Sequence, residues 1–307
     1  MTIRSDSRLE RLLHHGVFSV TAEVVPPRSA DPTALTLQAR GLVGYADAVN
    51  VTDNPTASVH MAATAGAGLV TAAGLEPVLQ MTCRDRNRLA LTADLLGAWA
   101  LGARNVLCLT GDPTETGDHP DAKGVYDIEV MDLIRLVTAL RTEGRLLSGA
   151  QIESPPRYFA GVADVPLVAG YRFDRLEQKA DAGADFVQTQ IVFDVEAFQA
   201  WADLARARGI LERMFVLAGV AVAKGPKTAR YLRDHLPGVA VPDLVIERLD
   251  GAGADAEAEG VRLTAEIVAR LKAIPGIAGI HVMGLGRTDP VRHVIEAAGL
   301  LPRPGMP

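Results

Sequence analysis

The sequence is poor in aromatic residues and has no excess of basic ones. Aromatic side chains make up 5% of the 307 residues, and the formal net charge is -6. Proteins that coat nucleic acid rely on clustered Lys and Arg, often with aromatic stacking surfaces. The composition therefore argues against a nucleic-acid partner, although it is compatible with a local basic pocket for a small anion.

Long apolar runs and cysteine are also scarce. No stretch approaches the roughly 20 apolar residues of a transmembrane helix, so no membrane partner is expected. The polar N-terminal segment MTIRSDSRLERLLHHG lacks the apolar core of a secretory signal. Cys83 and Cys108 lie in or beside strand-like segments, and with scattered histidines they do not make a zinc site. We therefore expect two buried thiols, a cytoplasmic location and no metal.

The sequence does contain a regular alternation of short β-branched runs and longer amphipathic segments. Strands are predicted at residues 18–25, 46–52, 76–82, 104–110, 146–153, 185–192, 214–220 and 279–285. The segments between them place apolar residues three and four apart and mostly end at glycine, as helices do. This alternation predicts a single-domain α/β protein over residues 1–307: a helix at about 7–15, then a (β/α)8 TIM barrel over about 17–299.

A doubly wound open sheet is the structural alternative. Such a sheet is expected to carry a glycine-rich phosphate-binding fingerprint, and no G-x-G-x-x-G follows the first predicted strand. The longest polar loop, residues 111–127, instead follows the fourth strand. Because barrels keep their active sites at the C-terminal ends of the strands, candidate residues are expected there.

The first such residue is Glu23 in VTAEVVPPR. A period of two places Thr21, Glu23 and Val25 on one face of the strand. Burial in a barrel interior should raise the pKa of a carboxyl group, which suits a general acid. The alternative is a structural ion pair with Arg28 or another base at the rim.

Further candidates lie at or beyond the strand ends: Thr52, Gln80, Thr110, Gly111, Asp112, Gln151, Gln190 and Arg287. Gly111 lets a ligand approach the backbone, and Asp112 is a base, an electrostatic partner or a turn cap. Gln190 offers a donor and an acceptor to a polar ring system, or it is a satisfied barrel amide. Lys179 falls in a predicted helix, where a solvated lysine is the default. For Arg287, a structural contact at a helix start competes with binding an anionic ligand.

The ordered set of motifs is more specific than any one of these residues. The succession AEVVPPR, NVTDN, LQMTC, LTGDP, KADAGADFVQTQIVFD and HVMGLGR resembles the methylenetetrahydrofolate reductase family, whose members are flavin-dependent (β/α)8 barrels. The resemblance covers about residues 17 to 299. It implies reduction of 5,10-methylenetetrahydrofolate to 5-methyltetrahydrofolate with NAD(P)H and FAD as cofactors. The implied partner is a tetrahydrofolate derivative, and an oligomer is compatible with it.

The resemblance also implies roles for individual residues. Glu23 matches the proton donor that opens the imidazolidine ring, and Asp112 matches an aspartate beside the flavin and the pterin. Gln190 matches a glutamine that contacts folate and nicotinamide, and Arg287 matches an arginine beside the glutamate tail. Two cofactor contacts complete the match: Thr52 at the nicotinamide and Lys179 near the flavin phosphates.

Other matched flavin contacts depart from the family pattern. They are Gln80 in place of a histidine, Thr110 in place of an arginine, Gln151 in place of a tyrosine, Pro155 in place of a histidine and Arg172 in place of an aspartate. Either the flavin is held differently, or it is weak or absent and hydride passes directly from NAD(P)H to folate. Two other functions stay in view: a flavin-free folate-dependent methyltransferase or demethylase, and a folate-binding accessory subunit.

Overall fold

The computed structural model describes residues 3–305. Within these residues, eight parallel strands close into a barrel in chain order. They are β1 (Ser19–Val24), β2 (Ala48–Val51), β3 (Pro77–Thr82), β4 (Asn105–Leu109), β5 (Phe159–Asp164), β6 (Phe186–Ile191), β7 (Phe215–Ala221) and β8 (Ile277–Met283). The predicted (β/α)8 barrel is confirmed.

One helix precedes β1, and the others follow the strands and cover the outside of the barrel. They are α1 (Arg8–His14), α2 (Thr33–Leu42), α3 (Ala63–Ala72), α4 (Arg88–Ala100), α5 (Val130–Glu143), α6 (Asp174–Asp181), α7 (Val195–Ala207), α8 (Pro226–His235), α9 (Asp243–Gly251), α10 (Ala256–Ala273) and α11 (Asp289–Ala297). Their apolar faces pack on the outward side chains of the strands and form the main core. Both cysteines are buried free thiols, as expected. Across residues 3–305, no helix is long and apolar enough to cross a membrane.

Seven of the predicted strands agree with the structure to within two residues at each end, and the fifth is wrong. Residues 146–153 form a tight turn closed by a bridge between Arg145 and Gln151. Gly149, at a φ of +87°, donates its amide to the carbonyl of Leu146, which a strand does not allow. The fifth strand is the apolar segment that follows, Phe159–Asp164.

Helix α1 closes the N-terminal end of the barrel. Leu9 and Leu13 are buried in an apolar layer with Ala48, Val78, Leu107, Phe159, Phe186 and Leu217. The carboxylate of Glu76, just before β3, accepts hydrogen bonds from the amides of Arg8 and Leu9 at 2.6 and 2.9 Å. These bonds satisfy donors that the start of a helix leaves free, and they fasten α1 to the barrel floor.

The barrel interior becomes polar above this floor. Thr21 on β1 is paired in register with His281 on β8, and Glu23 is paired with Asn50 on β2. Because side chains alternate along a strand, Glu23 lies one inward position above Thr21. The strand order therefore places a carboxyl group above a polar layer, toward the C-terminal end of the barrel.

Candidate active site

Two adjoining cavities lie at the C-terminal ends of the strands. The inner cavity, of about 190 Å³, has a polar lining of Glu23, Asn50, Gln80, Asp164, Gln188, Thr189, Gln190 and His281. The outer cavity, of about 450 Å³, has a polar lining of Thr110, Asp164, Tyr171, Arg172, Arg175 and Lys179. They share a wall at Leu109, Ala163, Asp164 and Val165. A ligand in one cavity therefore lies next to a ligand in the other.

Glu23 faces the inner cavity from β1. Within residues 3–305 its carboxyl group has no ion-pair or hydrogen-bond partner, and burial alone raises its pKa from 4.5 to about 7. The alternative ion pair with Arg28 is wrong, because Arg28 pairs with Asp118 at 2.7 Å. Near neutral pH this carboxyl group is partly protonated and faces a space that a ligand can enter.

A polar network spans the barrel below Glu23. The side-chain amides of Asn50 and Gln188 donate to each other at 2.7 and 3.1 Å. The Gln188 amide also donates to the hydroxyl of Thr21 at 3.2 Å, and that hydroxyl lies 3.0 Å from Nδ1 of His281. Burial lowers the pKa of His281 to about 4, so its imidazole is neutral at physiological pH.

The sequence pattern did not single out Asn50 and His281, although a signal was present. Each is a polar residue within an apolar strand. Because side chains alternate along a strand, each could have been recognised as pointing into the barrel. The pattern did place Glu23, Gln80 and Gln190 at strand ends, and the structure brings all three to the inner cavity.

Lys179 lies on the wall of the outer cavity and is not the solvated lysine that its helix suggested. Its ammonium group donates to the carbonyl of Ala163 at 2.6 Å and lies 3.6 Å from the carboxylate of Asp164. The hydroxyl of Tyr171 donates to the same carboxylate at 2.6 Å. Burial lowers the pKa of Lys179, and the nearby Asp164 opposes that shift. Asp164 was missed because the fifth strand was misplaced.

Gln151 is the predicted cofactor residue that the structure contradicts. It lies in the loop that leads from α5 into the N-terminal end of β5, which is the end opposite to both cavities. The position at the end of the fifth strand belongs to Asp164, which lines both cavities. The matched departure at Pro155 falls in the same loop and has no place at the site.

The residues directly after β4 lie partly at the outer cavity and partly outside both cavities. Thr110 lines the outer cavity. Gly111 has a φ of +92°, and a Cβ there would lie 2.9 Å from Cβ of Arg84, so the loop requires glycine. Asp112 is exposed outside both cavities, and its carboxylate accepts the amide of Thr56 at 2.8 Å. This contact joins two loops that are distant in sequence, so it does not make Asp112 the cap of its own turn.

Two further predicted residues lie outside the cavity linings. Thr52 is buried directly after β2, and its hydroxyl has no hydrogen-bond partner in the described part of the chain. Arg287, in the loop after β8, pairs with Glu257 at the start of α10, with an N–O distance of 2.8 Å. The sequence placed the structural alternative at the start of the last helix, α11, so the observed ion pair is a different contact. About half of the Arg287 side chain is exposed, and its guanidinium remains accessible to an anion.

Comparison with known proteins agrees with the motif order. A family profile described as methylenetetrahydrofolate reductase matches residues 8–299. Methylenetetrahydrofolate reductase 1 of Schizosaccharomyces pombe is 28% identical over 238 residues, which cover 74% of this chain and 36% of the relative. The 5,10-methylenetetrahydrofolate reductase of Escherichia coli is 25% identical over 242 residues, which cover 78% of this chain and 75% of the relative. The chain thus spans little more than a third of the yeast relative.

Among solved structures, a Clostridium thermocellum protein is described as binding two copies of 5-methyl-5,6,7,8-tetrahydrofolic acid. It superposes with a TM-score of 0.61 at 11% identity and covers 96% of this chain and 99% of its own. At that identity the likeness shows a shared fold. Because the family profile covers nearly the whole sequence, the chain belongs to the methylenetetrahydrofolate reductase family.

Proposed function

We propose that this chain reduces 5,10-methylenetetrahydrofolate to 5-methyltetrahydrofolate with NAD(P)H, and that Glu23 is the general acid. The observation that carries the proposal is the carboxyl group of Glu23, which faces the inner cavity, has no partner among residues 3–305 and has a pKa of about 7. The names of the curated relatives and the methyl-folate bound by the Clostridium thermocellum protein support the choice of substrate.

The reaction requires a proton before it requires a hydride. Glu23 gives its proton to N10 of the imidazolidine ring, and the bond between N10 and the methylene carbon breaks. This leaves an iminium between N5 and that carbon, and a hydride from NAD(P)H then completes the methyl group. The carboxylate of Glu23 regains a proton from solvent. In total, one NAD(P)H and one proton are consumed for each methyl group formed.

The outer cavity suits the phosphate groups of a dinucleotide. Arg172 and Arg175 are exposed in its lining and present guanidinium groups, which bind phosphate with two parallel hydrogen bonds. Lys179 adds positive charge, which the adjacent Asp164 partly cancels. We propose that NAD(P)H binds here and reaches the folate across the shared wall.

The same residues do not fit the flavin ring of the family. Gln80 and Thr110 carry no charge where the resemblance assigns a histidine and an arginine. Asp164, at the end of the fifth strand, places a carboxylate between the two cavities. We therefore assign no step to FAD, and hydride passes directly from NAD(P)H to folate.

An anaerobic assay of the purified protein tests this proposal. With 5,10-methylenetetrahydrofolate and NADH or NADPH, we expect folate-dependent oxidation of the nicotinamide and an equal yield of 5-methyltetrahydrofolate. Glu23→Gln should lower kcat by about 100-fold or more while folate still binds, because an amide cannot give up a proton. Glu143→Gln, at the exposed end of α5, is the matched control and should keep full activity.

Four outcomes would contradict the proposal. Absence of turnover both with and without added FAD would exclude the reductase function. Methyl exchange without nicotinamide oxidation would favour the methyltransferase alternative, and oxidation that requires a second protein would favour the accessory subunit. Full activity in Glu23→Gln would remove Glu23 from the mechanism.

A further inference from the structure

Within residues 3–305, the imidazole of His281 has one nitrogen with hydrogen-bonding neighbours and one without a hydrogen-bond partner. The residue is 3% exposed, and it lines the inner cavity. Its Nδ1 lies 3.0 Å from the hydroxyl of Thr21 and 3.4 Å from the amide nitrogen of Gln188. Within residues 3–305, Nε2 has no hydrogen-bond partner, yet it is not one of the fully enclosed unsatisfied atoms. We infer that Nε2 is the ring nitrogen that a ligand in the cavity can reach.

The surrounding network decides which nitrogen carries the proton. The reciprocal hydrogen bonds with Asn50 fix the amide of Gln188, so that its NH2 group points toward Thr21 and His281. An NH2 group can only donate, and its position beside Nδ1 disfavours a proton on that nitrogen. The Thr21 hydroxyl, which accepts from Gln188, can then donate to Nδ1 of His281. The proton of the neutral imidazole is left on Nε2.

The alternative tautomer fits the distances less well. It would require the Thr21 hydroxyl to donate to the carbonyl of Ile280, which lies 3.3 Å away, while Nδ1 of His281 is at 3.0 Å. It would also place two N–H groups, from His281 and Gln188, against each other. The network therefore favours a neutral N–H donor at the cavity wall.

We propose that His281 is a substrate-binding residue, whose Nε2–H donates to an acceptor atom of a reduced pterin ring in the inner cavity. Asn50, Gln188 and Thr21 are positioning residues that keep the proton on Nε2. The inference rests on the proposed function, because it takes the pterin of tetrahydrofolate as the ligand. Pterin nitrogens and the ring carbonyl are acceptors of the required kind. The other ionisable groups that face this cavity are Glu23 and Asp164.

Nitrogen-15 NMR of histidine-labelled protein tests the tautomer without a change in sequence at the site. We expect the His281 resonance, assigned by its loss in His281→Gln, to report a neutral ring with the proton on Nε2. It should shift when 5-methyltetrahydrofolate is added. In Gln188→Glu, a carboxylate beside Nδ1 should draw a proton there and change the spectrum. A ring protonated on Nδ1 in the wild-type protein, or a resonance unmoved at saturating ligand, would overturn the inference.

Calorimetric binding of 5-methyltetrahydrofolate tests the contact itself. His281→Leu, which has no donor, should weaken binding by about tenfold, as expected for one lost hydrogen bond. His281→Gln retains an N–H donor and should recover part of the loss. His293→Leu, on the exposed side of α11, is the control and should bind like wild type. If His281→Leu does not fold, the NMR result decides the question alone.

The two failures are distinguishable. Equal binding by wild type, His281→Leu and His281→Gln would remove His281 from the site and leave the proposed function intact. Absence of binding by the wild-type protein would refute the folate substrate, and the inference would fall with it.

Discussion

Glu23 carries a cost in stability as well as a proposed function. Its pKa is raised from 4.5 to about 7 because the fold disfavours the ionised form. Above pH 7 the folded protein therefore holds a buried charge that the unfolded chain exposes to water. The corresponding loss in the free energy of unfolding is about 1–3 kcal/mol.

Replacement of Glu23 by Gln should therefore stabilise the protein at alkaline pH. The gain in the free energy of unfolding is expected to be full at about pH 8.5, to shrink as the pH falls through 7, and to vanish below about pH 4, where both states hold the proton. Urea unfolding of wild type and Glu23→Gln at several pH values measures it, with Glu143→Gln as control. A gain that does not change with pH would show that the carboxyl group is not buried in its ionised form.

The same pKa sets the pH dependence of the proposed reaction. Because only protonated Glu23 can donate, kcat/KM should fall about tenfold per pH unit above pH 7. His281, with a pKa of about 4, should add no titration between about pH 5 and 8. Initial rates across this range, at subsaturating folate, provide the measurement. A flat profile up to about pH 9 would rule out Glu23 as the acid.

Single site residues could be predicted where the sequence of their own strand identified them. Glu23, Gln80 and Gln190 were found because they interrupt apolar strands near their ends. The partners of Asp112 and Arg287 were not, since Thr56 and Glu257 lie 56 and 30 residues away in the chain. Such contacts depend on how loops from different βα units pack together, and no local sequence pattern predicts that packing.

At the scale of elements, the fifth strand shows how a local error moves a site residue to the wrong end of the barrel. The segment at 146–153 contains alternating apolar residues, but Gly149 and the bridge of Arg145 with Gln151 make it a turn. Once the strand is placed at Phe159–Asp164, Asp164 becomes the strand-end residue beside Lys179.

Two variants test this reassignment. Gln151→Ala should leave the Kd for NADPH and the KM for folate within about twofold of wild type, because its loop is at the opposite end of the barrel. Lys179→Met should weaken NADPH binding. It should also lower the free energy of unfolding by about 2–4 kcal/mol, because the buried carboxylate of Asp164 loses its cation. Fluorescence titration and urea unfolding measure the two effects.

The exposed Lys227 on α8 supplies the control for the loss of a lysine. Lys227→Met should change neither NADPH affinity nor stability by a measurable amount. Loss of NADPH binding in Gln151→Ala would restore the sequence-based assignment of that residue.

At the scale of the whole molecule, the barrel itself was the most predictable feature. Regular alternation of strand and helix patterns indicates the fold even when one strand is misplaced. In a barrel that closes in chain order, the fifth strand must lie between the fourth and the sixth. The polar layer was harder to predict from the sequence; its members are Thr21, Asn50, Gln188 and His281. It forms across strands from opposite sides of the barrel, and only closure brings those strands together.

The closed floor has a consequence for where the two proposed reactants meet. Because α1 seals the N-terminal end, both reactants must enter and leave at the other end. Because the two cavities adjoin at that end, we expect both reactants to be bound together during hydride transfer.

Steady-state kinetics and colour test whether both reactants are bound together. Double-reciprocal plots should intersect, 5-methyltetrahydrofolate should inhibit competitively against methylenetetrahydrofolate, and the purified protein should be colourless. Parallel lines from a yellow protein would instead show a bound flavin that accepts the hydride before folate enters. Because the helix at the floor leaves one open end, folate and nicotinamide must share that end, and the kinetic pattern reports whether they occupy it at the same time.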